Sequence, residues 1–213
     1  EPARRDEYRR MLGWADRKVV MTFGLLSKGK GIELMLDILP EVAARIPNVL
    51  YAIIGQTHPE VKKAEGERYR EKLLSQIRAN GLERHVEMVD EYVQEFDLIR
   101  RLTACDLYVT PYPGMEQITS GTLAYAVGLG RPVLSTPYAY ARDLLSEYGG
   151  LLIPYEDREG WKNAVIRHLA DDEMRLQWEK RMLKIGRDMH WKEIGRRHLQ
   201  LFAEVKQFAA ASG

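Results

Sequence analysis

Residues 116–132 read EQITSGTLAYAVGLGRP, and the fold is decided by what this stretch joins. Just upstream, Leu107, Tyr108, Val109 and Thr110 form a short apolar run, the pattern of a buried strand. The stiff turn Pro111-Tyr112-Pro113-Gly114 separates the two. Downstream, Pro132, Val133 and Leu134 open another strand. Between them, Thr119, Ser120, Gly121 and Thr122 are residue types that begin helices. The apolar residues that follow, through Leu129, continue a short helix. Ala124, Ala126 and Gly128 are small enough to let it approach a sheet, and Gly130 ends it. A strand, a helix and a second strand, with strands apolar throughout, make the repeating unit of a parallel sheet covered on both faces.

The start of that helix is a candidate anion site. Its first amides have no partner inside the helix and lie at the positive end of the dipole, and the neighbouring hydroxyls add donors. One such terminus contributes ~0.3–2 kcal/mol toward an anion. That is too little for tight binding, so a second phosphate-binding element is expected elsewhere. An ordinary N-cap before a core helix accounts for the same residues.

The rest of the chain repeats the alternation. A charged helix over 3–13 leads into the strand KVVMTF at 18–23 and a glycine- and lysine-rich loop, GLLSKGKG, at 24–31. Ile32, Met35, Leu36, Leu39 and Val42 have helical spacing, and Pro40 is expected to bend or restart that helix. Strands follow at 49–54 and 85–89, with helices at 61–80 and 94–104. A helix over 139–148, stopped by Gly149-Gly150, precedes a sixth strand at 151–153. Helices then run to the end, with breaks near 171–172 and 189–190. Trp14, Trp161, Trp178 and Trp191 read as packing residues of helical segments. The expected fold is α/β: a Rossmann-like parallel sheet of about six strands with helices on both faces. It divides into a leading helix at 1–17, the sheet domain at 18–190 and a closing helix at 191–213. Ligands of such sheets bind beyond the C-terminal strand ends. The Gly24 loop, Gly55, Asp90, Pro111 and Thr136 all fall there, so the glycine-lysine loop should share one edge with the central helix start.

Composition narrows the function. The 213 residues carry 32 basic and 31 acidic side chains, a net charge of +1, which offers nothing for bulk attraction to nucleic acid. No apolar run reaches membrane length. Cys105 is the only cysteine, so no internal disulfide forms, and a reducing, cytoplasmic setting fits. It reads as a small core residue. No His or Cys cluster has metal-ligand spacing. Gly24, Gly29 and Lys30 nearly spell a P-loop, but Gly31 stands where the magnesium-binding Ser or Thr belongs. The strand HVEMVDE, ending near Asp90, has its apolar run interrupted by Glu87. A nucleotidase and a simple glycine-rich turn with solvated lysines are both weaker fits than the following pattern.

FGLLSKGKGIELML, VLYAIIG, LIRRLTACDLYVTPY and TLAYAVGLGRPVLST, in this order and closed by WKEIGRRHLQLF, resemble the C-terminal half of glycosyltransferase family 4. These group 1 enzymes are retaining and have the GT-B fold. The resemblance spans residues 3–205, and QITSGTLAYA is similar to a mannosyltransferase-like subgroup. It implies a domain that holds a nucleoside diphosphate sugar and serves hexose transfer to an acceptor hydroxyl with retention; no metal or other cofactor is expected, since no Asp-x-Asp pair is present and Gly31 removes the P-loop magnesium ligand. It also implies an acceptor-binding N-terminal domain as partner and peripheral membrane association of the full enzyme; no nucleic-acid partner is expected, on the charge balance above. By resemblance, Lys30 contacts the diphosphate, together with Gly24, Lys28 and the helix start at Thr119, Ser120, Gly121 and Thr122. The family's Arg after the first Gly is Leu25 here, a missing charge that Lys28 is near enough in sequence to supply.

The family's Glu-x7-Glu positions, counted back from Gly130, are Gln117 and Tyr125, neither a carboxylate. The resemblance therefore puts Gln117, or Glu116 through a one-residue shift, beside the sugar as the catalytic candidates. Tyr125 falls at the ribose position. Tyr92 falls where the family places the nucleobase, and it also reads as a rim aromatic. His58 lies at the same edge and also reads as a plain turn residue. The missing carboxylates keep a non-catalytic sugar-nucleotide-binding module open, and a GT-B-like sugar-nucleotide epimerase is the other alternative. A chain that opens Glu1-Pro2 and shows one sheet pattern is expected to be part of a longer protein.

Overall fold

Continuous apolar runs become parallel strands because both faces of each are covered, and five do so here: β1 (Lys18–Phe23), β2 (Val49–Ile54), β3 (Val86–Val89), β4 (Leu107–Thr110) and β5 (Val133–Ser135). The computed structural model describes residues 4–147 and 151–211, with side-chain burial through 208. The strand order is β3-β2-β1-β4-β5, and every neighbouring pair is parallel. The chain thus starts in the middle, at β1, builds outward to β3, and returns to the other side with β4 and β5. All of β2 and β4 is buried.

The expected sixth strand is a correction. Residues 151–153 meet the sheet only through an isolated bridge between Leu152 and Ser135. The Ser135 amide donates to Leu151 and the Ile153 amide to Ser135. Pro154 follows and has no amide with which to extend the ladder. At the opposite edge, Glu87 sits in half-buried β3 and accepts from Trp14 Nε1 at 2.9 Å, with Arg101 3.5 Å away. The carboxylate that breaks the apolar run is tolerated because that strand is an edge.

The helices are α1 (Arg5–Met11), α2 (Ile32–Arg45), α3 (Pro59–Glu65), α4 (Arg68–Ala79), α5 (Glu95–Ala104), α6 (Gly121–Gly128), α7 (Ala139–Leu145), α8 (Arg158–Ala170), α9 (Asp172–Asp188) and α10 (Trp191–Ala211). Residues 61–80, expected as one helix, form two, broken at Gly66. α2 runs through Pro40 as one helix, with that residue exposed. α7 ends at Leu145 among the described residues, and the Gly149-Gly150 stop lies outside them. Trp161 and Trp178 are buried in α8 and α9. Trp14 is buried too, but in the turn after α1, and Trp191 is 86% exposed at the start of α10 rather than packed.

Asp106, just before β4, ties the leading helix to the sheet. It is buried, accepts the Val19 amide at 2.7 Å, and pairs with Arg9 at 3.2 Å and with Arg5. A buried carboxylate is stable only when its charge is met in this way. Among the described residues no helix is long and apolar enough to cross a membrane.

Candidate functional site

At the C-terminal strand ends the chain packs backbone on backbone. The Gly24 amide donates to Ile54 and the Gly55 amide to Val89, each at 2.9 Å. A Cβ on Gly55 would lie 2.1 Å from the Gly24 carbonyl oxygen, so no side chain fits there. Residues Lys28–Lys30 then form a 3₁₀ turn that ends at Gly31, in the left-handed region with φ +61°. A Cβ on Gly31 would sit 1.8 Å from the Pro111 carbonyl oxygen. The first loop is therefore pressed against the turn that follows β4, and this contact explains glycine at position 31.

Lys30 sits where the two loops meet. Its ammonium donates to Tyr112 Oη at 3.0 Å and lies 4.5 Å from the centre of that ring. Tyr112 Oη is 3.0 Å from Thr122 Oγ1, which is 3.2 Å from Ser120 Oγ. Ser120 caps α6 by accepting the Leu123 amide at 3.3 Å. A connected chain of polar groups thus runs from the ammonium to the helix N-terminus. Gly24 faces both ends of it: a Cβ there would lie 3.4 Å from Thr122 Cγ2 and 3.5 Å from Lys30 Nζ. No carboxylate among the described residues pairs with Lys30. A half-buried, uncompensated cation beside free helix amides is a site for an anion.

Tyr112 is the residue that the sequence reading missed. Its local sequence shows only a stiff turn, yet its hydroxyl joins the Lys30 loop to the start of α6. Its ring stacks on Tyr138 with centroids 5.3 Å apart, and Thr136 Oγ1 donates to its carbonyl at 2.7 Å. Burial pushes the Tyr138 phenol above its ordinary range, so this support stays neutral. The one signal in the sequence was a tyrosine locked between two prolines.

Gly24, Lys30, Ser120 and Thr122 are brought together, with Gly121 opening α6 beside them. Other candidates are not. Lys28 is exposed, and its ammonium has no partner among the described residues. Gln117 turns back on its own loop, donating to the Thr119 carbonyl at 2.8 Å. Glu116 is exposed with no hydrogen-bond or ion-pair partner among the described residues. The loop that carries them is docked on α7: the Ala139 amide donates to Met115 and the Tyr140 amide to Gln117, both at 3.1 Å. His58 is a turn residue, its Nδ1 capping α3 by accepting the Glu60 amide at 3.2 Å. Cys105 is a core residue whose thiol is pushed up to about 12 by burial.

Tyr92 and Tyr125 do converge. Both line a cavity of about 270 Å³ that also includes Gly24, Gly55 and Phe23, and so adjoins the Lys30 site. Tyr92 is 75% exposed at its rim. Tyr125 meets Phe23 edge-on at 6.4 Å and donates its hydroxyl to Glu95 Oε1 at 2.8 Å. That hydrogen bond holds the Tyr125 phenol above its ordinary range. Arg70 braces the floor, donating to the Gly55 carbonyl at 2.6 Å and pairing with Asp90 at 2.9 Å. Among the described residues no group of three or more His, Cys, Asp or Glu side chains is placed to hold a metal ion.

Residues 4–184 match the family model described as Glycosyl transferases group 1. Over 131 residues the chain is 30% identical to a GDP-mannose:glycolipid 4-beta-D-mannosyltransferase of Xanthomonas campestris pv. campestris, covering 62% of this chain and 33% of that protein. It is 24% identical over 177 residues to a phosphatidyl-myo-inositol mannosyltransferase of Mycolicibacterium smegmatis, covering 83% of this chain and 42% of that one. The crystal structure of Anabaena Alr3699/HepE in complex with UDP has the same fold. Its TM-score is 0.79 at 21% identity, over 97% of this chain and 53% of that one. The chain spans less than half the length of the curated relatives it matches.

Proposed function

This chain belongs to the group 1 glycosyl transferases, and on that premise we propose that it is the donor-binding half of an enzyme that moves a hexose, mannose foremost, from a nucleoside diphosphate sugar to an acceptor hydroxyl. One observation carries the reading: Lys30, Tyr112 and Thr122 link a lysine loop and a helix N-terminus into one uncompensated anion site. Lys30 and the first amides of α6 hold the diphosphate, and exposed Lys28 reaches it from the same turn. As the glycosidic bond breaks, negative charge grows on the departing diphosphate. Cationic groups fixed in advance then lower the barrier as well as bind. These groups meet the charge without a metal ion. Glu116, whose carboxylate has no partner among the described residues, stands toward the sugar and its oxocarbenium-like transition state, and Gln117 takes that place only by leaving the Thr119 carbonyl.

The acceptor is held by a second domain across the cleft. Both relatives are named for lipid-linked acceptors, glycolipid and phosphatidyl-myo-inositol, which supports an acceptor at a membrane surface and a cytoplasmic enzyme bound peripherally to it. The stereochemical course proposed is retention. The first relative's name states a β-linked product, so the anomeric configuration of product against donor, read by proton NMR on the full-length protein, decides between retention and inversion. A second reading, a non-catalytic sugar-nucleotide-binding module, is favoured by one observation: no carboxylate stands at positions 117 and 125. Donor turnover by the full-length protein would exclude it.

The test of donor binding is calorimetric titration of the chain with GDP, UDP and ADP. Lys30→Ala should weaken the best of these at least about tenfold, the worth of one charged hydrogen bond, with the melting temperature nearly unchanged. Equal affinity in wild type and variant would overturn the assignment. Binding lost on chelation and restored by magnesium or manganese would overturn its metal-free form.

A further inference from the structure

The cavity between Tyr92 and Tyr125 is lined by two carboxylates with no role in the donor reading so far, Glu91 and Glu95, and of these Glu95 is the one fixed in place by Tyr125. Glu95 is the first residue of α5 and lines that cavity. Its Oε1 is held by the Tyr125 hydroxyl at 2.8 Å. Its Oε2 has no hydrogen-bond or ion-pair partner among the described residues. An ionised carboxylate only accepts, with room for several donors on its two oxygens. Its ideal partner is therefore a pair of adjacent hydroxyls. Around it the walls are mostly apolar and aromatic, formed by Phe23, Leu25, Ile54, Leu98 and Tyr92, with Gln56 and Glu91 as the other polar lining. Such walls suit the flat faces of a base and a ribose ring. The cavity meets the Lys30 site at Gly24, which lines it and lies against Lys30 Nζ. Charge fixes the direction of binding, since the phosphates are drawn to Lys30 and repelled by Glu95.

We propose that Glu95 receives the vicinal 2′- and 3′-hydroxyls of the donor ribose, and that Tyr125 is a positioning residue that fixes Glu95 for this. The proposal rests on the donor reading above. It gives residue 125 a purpose: its hydroxyl reaches across from α6 to a carboxylate on α5. The carboxylate is thereby supplied by a different helix from the one that carries the phosphate-binding amides.

The experiment is calorimetry of wild type, Glu95→Gln and Tyr125→Phe with whichever of GDP, UDP and ADP binds tightest, and with its 2′-deoxy and 3′-deoxy forms. Wild type should lose about tenfold in affinity with either deoxy form, as expected for a hydrogen bond to a charged group. Glu95→Gln should bind the ribo form about tenfold more weakly and then treat ribo and deoxy forms alike within about twofold. Tyr125→Phe should fall between. Glu95 is exposed, so the variant should fold, and Glu95→Asp, which shortens the same group, is the second variant if it does not. If wild type and Glu95→Gln lose the same factor with the deoxy forms, or wild type loses none, Glu95 does not bind the ribose and the proposal is overturned. If wild type binds none of the three diphosphates, the donor reading itself falls and takes this one with it.

Discussion

Gly31 shows how a single position is decided by a distant one. Read along the chain, it stands where a P-loop would carry its magnesium-binding Ser or Thr, and so argues against one. In the fold it is the point where the first loop touches the backbone after β4, at φ +61° and with no room for a Cβ beside the Pro111 carbonyl. Gly31→Ala should therefore cost about 3 kcal/mol or more, since both a left-handed backbone and a backbone clash must be relieved. Gly29→Ala is the control: its Cβ would meet nothing closer than Ser27 Oγ at 3.5 Å, and the urea midpoint should barely move. A midpoint that stayed put in Gly31→Ala would mean that the two loops are not packed as described. The same variant should lose nucleoside diphosphate binding, because Lys30 is the neighbour that the clash displaces. Lys30 was legible from its place in a glycine-rich loop. Tyr112 was not, because nothing local distinguishes a turn tyrosine from one that joins two loops.

Among the elements, α8 and α9 carry a pH dependence. His168 of α8 is buried, stacks on Trp178 of α9 with centroids 6.2 Å apart, and donates from Nδ1 to the Ala164 carbonyl at 2.8 Å. Its Nε2 is buried without a hydrogen-bond partner among the described residues. Burial holds its pKa below the ordinary histidine value. The unfolded chain takes up this proton near pH ~6.5, the folded chain only at lower pH. The folded state therefore binds fewer protons in that window. Stability is complete above ~6.5 and falls as the pH drops below it. Urea unfolding at pH 7.5 and 5.5 should show a loss of up to ~1.4 kcal/mol from this group in wild type. His168→Phe, which cannot be protonated, should lose less over the same interval. Equal losses would assign the effect elsewhere. The elements themselves were largely legible, because burial imposes period and length on apolar residues. The misses have local causes: Gly66 divides one expected helix, and Pro154 stops residues 151–153 from joining the ladder.

For the molecule as a whole, the consequential feature is that the site lies along one open edge of a single sheet. Transfer needs an acceptor hydroxyl held at the anomeric carbon, and positioning of that kind accounts for several kcal/mol of a barrier, ~7–11 in favourable cases. Among the described residues no second wall faces the edge where Lys30 and Glu95 sit. The 213-residue chain by itself should bind the donor, hydrolyse it slowly at most, and not transfer sugar. A transfer assay of the isolated chain with a broad acceptor panel checks this. Turnover of ~1 per second or faster, ordinary for an enzyme, would make this half a complete transferase.

The sequence by itself determined the class of fold, the sheet edge on which the candidate loops lie, and the family. Each of these is written in local pattern: apolar runs of strand length, helical spacing between them, and glycines and hydroxyls where strands end. The tertiary structure alone decided which side chains meet at that edge. Lys30 reaches Tyr112 across 82 residues and Tyr125 reaches Glu95 across 30. Neither meeting has a local signature, because both follow from the strand order. That order sets β4 directly against β1 and so closes one loop upon the other.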